Sequence, residues 1–303
     1  MQSTRWKEYL RHWREGGQLF LQHPLGWLGL GLLSVFALMA LLHPLLMAGT
    51  WNRTTYDPFV GFDYDGIPHP DPPSLKHLLG TDTLGRDVLS QLLYATGPSF
   101  GLGLLAGAVA VTLAATVGVT SAYFGGTLDA LLMGLTDAAI MLPAPVVLLV
   151  FGLLVQMNWI QLALLYGLFS GLGGTAVVFR SQALSIKVKP YIEAARVAGG
   201  NSWHILRAHF LPNLFPLMFL NLMFTATGAV LTEALLSFFG RTTIRLSWGT
   251  MIWFGQVTFR WSSVGQQWHA ILPPALAIML FCGAFYMVGR ALDDTLNPRL
   301  RRR

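Results

Sequence analysis

Residues 98–123 read PSFGLGLLAGAVAVTLAATVGVTSAY and hold no Asp, Glu, Lys or Arg. The charge-free stretch extends further, from Val88 to Leu128. An α-helix rises about 1.5 Å per residue, so about 20 apolar residues cross the roughly 30 Å hydrocarbon core of a bilayer. The stretch therefore predicts a membrane span at Pro98–Tyr123, preceded by a short interfacial helix at Val88–Tyr94.

Long apolar stretches elsewhere in the chain predict five further spans. They lie at Leu25–Met47, Leu128–Val155, Ile160–Phe179, Asn213–Phe238 and Trp268–Gly289. A tight turn at Gln156–Trp159 joins the third and fourth spans. The sequence thus predicts an all-α membrane protein with six transmembrane helices. The apolar stretch Met251–Phe259 is too short to span and predicts a re-entrant or interfacial helix.

The composition of the 303-residue chain agrees with a membrane protein. Hydrophobic residues make up 53% and charged residues 11%, with a mean hydropathy of +0.53, whereas soluble domains carry about 25% charged residues. The net charge is +6. Because the basic residues lie at span ends and in loops, this charge fits an anionic lipid surface better than nucleic acid. The single cysteine, Cys282, excludes an internal disulfide.

Charge distribution predicts the orientation and the domain organisation. Lys and Arg are more frequent on the side that holds both termini, so both termini are expected in the cytoplasm, beneath the inner membrane. Residues 1–24 carry Trp6, Leu10, Trp13 and Phe20 at roughly helical spacing among basic residues, which predicts an amphipathic interfacial segment. The first span and a large extracytoplasmic loop follow at 25–95, a core of five spans at 96–295 and a basic cytoplasmic tail at 296–303.

A polar loop interrupts the apolar pattern between the fourth and fifth spans. Residues 191–200 read YIEAARVAGG, and Leu211-Pro212 follows. Ala194 and Ala195 are small enough to let a helix approach a partner closely, and Gly199 and Gly200 are expected to end that helix. From these residues alone two interpretations stay open, a docking site for a soluble partner and a solvated linker.

The pattern Glu193-Ala194-Ala195, then Gly199, then Leu211-Pro212 resembles the EAA motif of ATP-binding cassette (ABC) importer permeases. In that family the loop, here residues 180–212, forms a coupling helix that docks in a groove of an ATPase subunit. The resemblance implies that docking involves Glu193, Ala194, Ala195, Arg196, Gly199 and Gly200. His209 stands where the family usually has Ile.

The resemblance covers nearly the whole chain and narrows the family. Residues 77–90, HLLGTDTLGRDVLS, are similar to the signature segment of the dipeptide/oligopeptide/nickel permeases. Two later stretches, EALLSF at 233–238 and LDDTLNPRL at 292–300, are similar to later segments of the same permeases. The chain resembles the C-type, or second, permease of such an importer, with the MetI-like type I fold. This implies a peptide importer, with nickel or another small solute as the alternative.

The same resemblance implies the partners. They are a homologous second permease that completes a heterodimer, two ATPase subunits, an extracytoplasmic substrate-binding protein and membrane lipid. ATP and Mg are expected on the ATPase subunits and no cofactor on this chain, which lacks the G-x-x-x-x-G-K-[ST] phosphate loop and the G-x-S-x-G nucleophile motif. Its histidines lack metal-site spacing, so the sequence predicts neither catalytic nor metal residues, and no nucleic-acid partner.

Two pairs of polar residues carry hypotheses about the transport pathway. The family usually has prolines after the fifth span, where this chain has Arg241 and Arg245. These cations are either drift in a loop or an outer gate that attracts a substrate carboxylate. Asp137 and Glu233 lie at membrane depth, where charge is costly and often functional. Pairing or hydrogen bonding inside the bundle is the expected role, and proton relay is the alternative.

Two other classes of protein were weighed against a permease subunit. A stand-alone secondary transporter often shows internal repeats and midplane polar sites, and the halves of this chain show no convincing repeat. An intramembrane hydrolase needs a paired nucleophile and base, and nothing in the sequence ties Asp137 to Glu233.

Overall fold

The computed structural model describes residue 20 and residues 22–64, 69–155, 157–240, 244–257 and 268–296. Its helices are α1 (Pro24–Gly49), α2 (Arg53–Tyr56), α3 (Val88–Phe124), α4 (Gly126–Met141), α5 (Ala144–Leu154), α6 (Trp159–Leu172), α7 (Gly174–Lys187), α8 (Pro190–Val197), α9 (Ser202–Ile205), α10 (Leu211–Phe238), α11 (Trp248–Val257) and α12 (Trp268–Leu296). A π-helical turn, Leu206–Phe210, joins α9 to α10. Most of the predicted amphipathic segment and the basic tail beyond residue 296 lie outside the described residues.

Several helices are long and apolar enough to cross a membrane. The continuous ones are Pro24–Gly49, Val88–Phe124, Ser202–Phe238 and Trp268–Thr295. The pairs α4 with α5 and α6 with α7 also qualify, each bent at a short break. Six spans result when each bent pair counts as one, and the prediction of an all-α membrane protein is confirmed.

The second span is longer than the sequence suggested. Val88–Tyr94 is the first part of α3 and not a separate interfacial helix, so that prediction was wrong. Asp87 caps the helix, and Val88 and Leu92 are buried in the core. This packing outweighs the local effect of Pro98, which remains inside the helix.

The third and fourth spans are bent, whereas the sequence predicted each as one apolar stretch. The bends measure 72° between α4 and α5 and 46° between α6 and α7. Leu142 has an extended backbone, φ −103° and ψ 96°, as the steric demand of the following Pro143 favours. At the second bend Gly173 leaves the helical region with ψ −142°. α7 then continues to Lys187, past the predicted end at Phe179.

α3 lies at the centre of the bundle and contacts α1, α6, α7 and α10. Glycines make two of these contacts possible. A Cβ on Gly118 would lie 2.7 Å from the Ala176 carbonyl oxygen, and a Cβ on Gly171 would lie 2.7 Å from the Ala110 carbonyl oxygen. Helices in lipid associate through such close backbone approach, because burial of apolar surface provides no driving force there.

The loop between α1 and α3 is held by a buried ionic centre. His77 Nδ1 lies 2.8 Å from Asp87 Oδ2, and His77 Nε2 lies 3.0 Å from Asp63 Oδ2. Lys76 Nζ lies 2.6 Å from Asp63 Oδ1. The Ser90 amide donates to Asp87 Oδ1 at 2.6 Å, so the same centre starts α3. Burial raises the pKa of Asp87 above its usual range, against the opposing effect of its hydrogen bonds with His77 and the Ser90 amide.

The short apolar stretch before residue 257 forms α11, which packs into the bundle. Trp248 is fully buried, and its ring centroid lies 5.5 Å from that of Phe36 and 5.2 Å from that of Phe281. These three rings join α1, α11 and α12 in one aromatic cluster. Residues 258 and 259 of the predicted helix lie outside the described residues.

Gly171→Val is expected to lower the stability of the purified chain, since the new side chain would collide with the α3 backbone at Ala110. Overpacking of this kind costs about 1–3 kcal/mol. Thermal unfolding in detergent, followed by tryptophan fluorescence, measures the effect. Gly31→Val is the matched control, because no atom lies within 4 Å of a Cβ at Gly31. Equal unfolding midpoints for the two variants would contradict the close helix contact.

His77→Ala is expected to destabilise the loop between α1 and α3, because it removes the group that faces both Asp63 and Asp87. Leaving the buried carboxylates without this hydrogen-bond partner costs about 1–3 kcal/mol. Limited proteolysis of the loop and the unfolding midpoint report the loss. His204→Ala serves as the control, since His204 is exposed. A loop as protease-resistant as in the unchanged chain would argue against the ionic centre.

Candidate functional site

The segment that joins α7 to α10, residues 188–210, is the strongest candidate site and is called here the connecting segment. Its first helix, α8, carries Glu193 in the first turn and Arg196 in the last, where both charges favour the helix dipole. Gly199 ends the helix with φ +83°. The Gly199 amide donates to the Arg196 carbonyl at 3.0 Å and the Gly200 amide to the Ala195 carbonyl at 2.9 Å. This is a Schellman motif, and it explains why glycine occupies position 199.

The second helical piece leads directly into the fifth span. Asn201 caps α9 by accepting a hydrogen bond from the His204 amide at 2.7 Å. The helix then runs from Ser202 to Phe238 through the π-helical turn. The fifth span predicted at Asn213–Phe238 is thus the later part of a longer helix. Pro212 lies two residues after the π-helical turn, where the continuous helix returns to α-helical geometry.

One face of the connecting segment is anchored in the bundle. Ile192, Ile205 and Phe210 are fully or almost fully buried and share a cluster with Phe179 and Ile186 of α7. Because apolar anchors occur on both sides of the turn at Gly199, the two helical pieces are held as one unit. This unit packs against α7 and continues into α10.

The opposite face of the segment is open. Val197 is 86% exposed and Trp203 69% exposed. Of the six residues predicted to dock, Glu193, Ala194, Arg196 and Gly199 are exposed and Ala195 and Gly200 are half-buried. A surface groove of about 570 Å³ lies beside them, lined by Asn201, Trp203, His204, Arg207 and Ala208. The arrangement presents a small apolar patch with basic neighbours on an anchored helix pair.

The end of α3 lies next to this segment and forms an ionic cluster that the sequence analysis missed. Arg180 Nε lies 2.8 Å from Asp129 Oδ1, and Arg180 Nη2 lies 2.6 Å from Asp129 Oδ2. Arg180 Nε also donates to Ser121 Oγ at 3.1 Å, and Ser121 Oγ donates to Asp129 Oδ1. The available signal was the opposite charge of two residues at adjoining ends of neighbouring spans.

The two predicted intramembrane acids differ in their surroundings. Glu233 is buried, and its Oε1 accepts hydrogen bonds from Ser237 Oγ and Ser247 Oγ, both at 2.6 Å. Ser247 directly precedes α11, so Glu233 links α10 to the start of α11, and hydrogen bonding inside the bundle is what the sequence led us to expect. Asp137 is exposed on α4 and makes no hydrogen bond or ion pair within the described part of the chain. The expected pairing of Asp137 inside the bundle therefore stays a prediction, and any partner would have to come from outside the described residues of this chain.

The remaining predicted positions lie after the fifth span. Arg245 is exposed, and Arg241 lies outside the described residues. Among the residues that the structure describes, no group of three or more His, Cys, Asp or Glu side chains could hold a metal ion.

Comparison with known proteins identifies the family. Residues 102–302 match the family described as binding-protein-dependent transport system inner membrane component. The chain is 33% identical to a putative peptide transport system permease protein of Brucella suis over 277 residues, 90% of this chain and 88% of the relative. It is 31% identical to the dipeptide transport system permease protein DppC of Bacillus subtilis, over 76% of this chain and 71% of the relative.

A third relative covers almost the full length. The oligopeptide transport system permease protein OppC of Bacillus subtilis is 26% identical over 98% of this chain and 92% of the relative. The family match covers the bent spans, the connecting segment and α12. The chain is therefore a multi-pass membrane protein that belongs to the family of binding-protein-dependent transport system inner membrane components.

Proposed function

We propose that this chain is the permease subunit of an ABC importer that carries peptides across the cytoplasmic membrane, driven by separate ATPase subunits. One observation carries the proposal: within a chain of this transport family, the connecting segment has one buried face and one open apolar face. The printed names of the relatives, which are peptide, dipeptide and oligopeptide systems, support a peptide as the cargo.

The open face of the connecting segment is the proposed docking site for an ATPase subunit. Val197 and Trp203 supply apolar area, and the small Ala194 lets the partner approach the α8 backbone. Glu193 and Arg196 lie on the same short helix and can form polar contacts at the rim. ATP and Mg bind on the ATPase subunits, and no cofactor binds on this chain.

A homologous second permease is proposed to cover α4 and α5. Within these two helices only Thr136 and Leu148 are buried, so the pair packs loosely on its own chain. An ionised side chain facing lipid is costly, and Asp137 is exposed on α4. These two facts support a face that meets protein or an aqueous pathway and not lipid. The two permeases together form one pathway, lined mainly by the third to sixth spans.

The remaining assignments follow from the orientation predicted by the basic residues. The connecting segment and both termini face the cytoplasm, and the loop at residues 50–87 faces outward, where a substrate-binding protein delivers the peptide. ATP-driven closure of the ATPase subunits pushes the connecting segments and opens the pathway outward. Release after hydrolysis opens it inward.

Reconstitution tests the proposal directly. The complex of both permeases and both ATPase subunits is placed in liposomes with the binding protein and a labelled peptide outside. Uptake is expected only when ATP is present at the face of the membrane that carries the ATPase subunits. Uptake by this chain alone, driven by an ion gradient without ATPase subunits, would overturn it and favour a secondary transporter.

Val197→Asp is expected to weaken ATPase binding at least about 10-fold. Burying a valine side chain contributes about 1.5–3 kcal/mol, and each 1.4 kcal/mol changes affinity 10-fold. Co-purification of the ATPase subunit with the detergent-solubilised permease measures the loss. Val60→Asp is the control, because Val60 is similarly exposed, at 79%, in the loop between α1 and α3. Undiminished co-purification for Val197→Asp would count against docking at α8.

Replacing both Arg241 and Arg245 with Gln is expected to raise the KM for peptide uptake about 2- to 5-fold, since an exposed ion pair contributes up to about 1 kcal/mol. The effect should appear with peptides that have a free C-terminal carboxylate and vanish with C-terminally amidated peptides. Arg53→Gln changes an exposed cation elsewhere and serves as the control. If uptake of both peptide types is the same before and after the double change, Arg241 and Arg245 do not form an outer gate for the substrate carboxylate.

A further inference from the structure

We propose that the ion pair between Asp129 and Arg180 is the joint through which the connecting segment moves α4. Both residues act as positioning residues for transport, since both lie outside the connecting segment that is proposed to dock the ATPase subunit. The inference rests on the proposed function, because it requires force to arrive at the connecting segment. It identifies Asp129 and Arg180 as the side chains that pass movement from the connecting segment to α4, the helix that carries Asp137.

The geometry of the pair is directional. Two guanidinium nitrogens of Arg180 meet the two carboxylate oxygens of Asp129, at 2.8 and 2.6 Å. Such a bidentate pair fixes both distance and orientation, which a single lysine ammonium cannot do. Ser121, on α3, donates to the same carboxylate and accepts from Arg180 Nε. Three helices, α3, α4 and α7, therefore meet at one hydrogen-bonded cluster.

Neighbouring contacts make this cluster the place where the connecting segment meets the bundle. Three consecutive residues of α3 each contact a basic side chain of α7 or α8. Arg180 Nε donates to Ser121 Oγ, and Lys187 Nζ donates to the Ala122 carbonyl at 2.7 Å. The Arg196 guanidinium carbon lies 5.5 Å from the centre of the Tyr123 ring. Phe210, at the far end of the segment, also packs on Tyr123, with ring centroids 5.7 Å apart. α7, α8 and the π-helical turn thus share one contact region on α3.

α4 depends on this region because its own packing is sparse. Thr136 is its one buried residue, and Leu131 and Leu135 are 64% and 62% exposed. Arg180 lies on α7, which continues unbroken to Lys187 and reaches α8 across the two residues Val188 and Lys189. Displacement of α8 therefore moves α7, and the Arg180 guanidinium transmits that displacement to α4. Without the pair, α7 can move while α4 stays behind.

The ion pair is suited to coupling two helices that move, because it is not a buried contact on which folding depends. The side chains of Arg180 and Asp129 are 31% and 23% exposed, and exposed ion pairs contribute little to stability. Arg180→Lys should therefore leave the chain folded and still able to bind the ATPase subunit at Val197. What it should lose is the fixed geometry between α7 and α4.

The first experiment measures peptides imported per ATP hydrolysed in the reconstituted complex. Arg180→Lys and Asp129→Asn are each expected to lower this ratio about 10-fold while ATPase co-purification stays unchanged. The exchanged pair, Asp129→Arg with Arg180→Asp, is expected to recover a substantial part of the ratio. Arg290→Lys and Asp293→Asn are the controls, since this pair is also partly exposed but lies within α12.

A second experiment follows the movement itself. Spin labels at Leu131→Cys on α4 and Gly31→Cys on α1, in a Cys282→Ser background, report the distance between the two helices. ATP is expected to shift that distance in the otherwise unchanged complex and to leave it unshifted with Arg180→Lys.

Several outcomes would overturn the joint. A normal transport ratio with Arg180→Lys, an ATP-dependent shift that survives this change, or an exchanged pair no better than the single variants would each do so. Failure of the Arg180→Lys chain to accumulate would make the pair a folding element instead. Failure of the proposed function looks different, because the unchanged complex would then show no ATP-dependent uptake.

Discussion

Close packing around α3 is the constraint on which the rest of the structure depends. In lipid, apolar side chains gain nothing by leaving the solvent, so helices are held by close backbone approach and by polar contacts. α3 provides the first through glycines such as Gly107 and Gly118, at which a Cβ would meet the backbone of a neighbouring helix. It provides the polar contacts at its two ends, where the chain leaves the bundle. A single helix thereby connects the two polar surfaces of the protein.

The two ends of α3 are built differently, and the difference fits different tasks. At its start Asp87 and His77 are almost fully buried, so changing either one leaves an uncompensated polar group. At its end Ser121, Arg180 and Asp129 are linked by short hydrogen bonds, and the ion pair itself is partly exposed. The buried centre holds a loop in one place. Because exposed ion pairs contribute little to stability, the partly exposed cluster can couple two helices without being needed to keep the chain folded.

The sequence predicted the spans well because crossing a membrane depends on local composition, which apolar length reports directly. It failed at the third and fourth spans, where Pro143 and Gly173 bend the chain; composition averaged over a span does not register one residue. It failed at Val88 for the opposite reason, since burial against other helices continued α3 through Pro98. The position of a Pro or Gly residue in the sequence does not show whether it will bend the helix or whether burial will keep the helix continuous.

The candidate site was predictable in outline because its turn needs particular residues. Gly199 is in a left-handed conformation that other residues adopt at a cost, and this requirement is visible as a glycine. The ion pair of Arg180 with Asp129 left no such trace, since any two opposite charges at neighbouring span ends look alike until the fold is known. Directional contacts between distant residues are therefore the part that sequence reasoning misses. When helices move relative to one another, such contacts determine which helices move together.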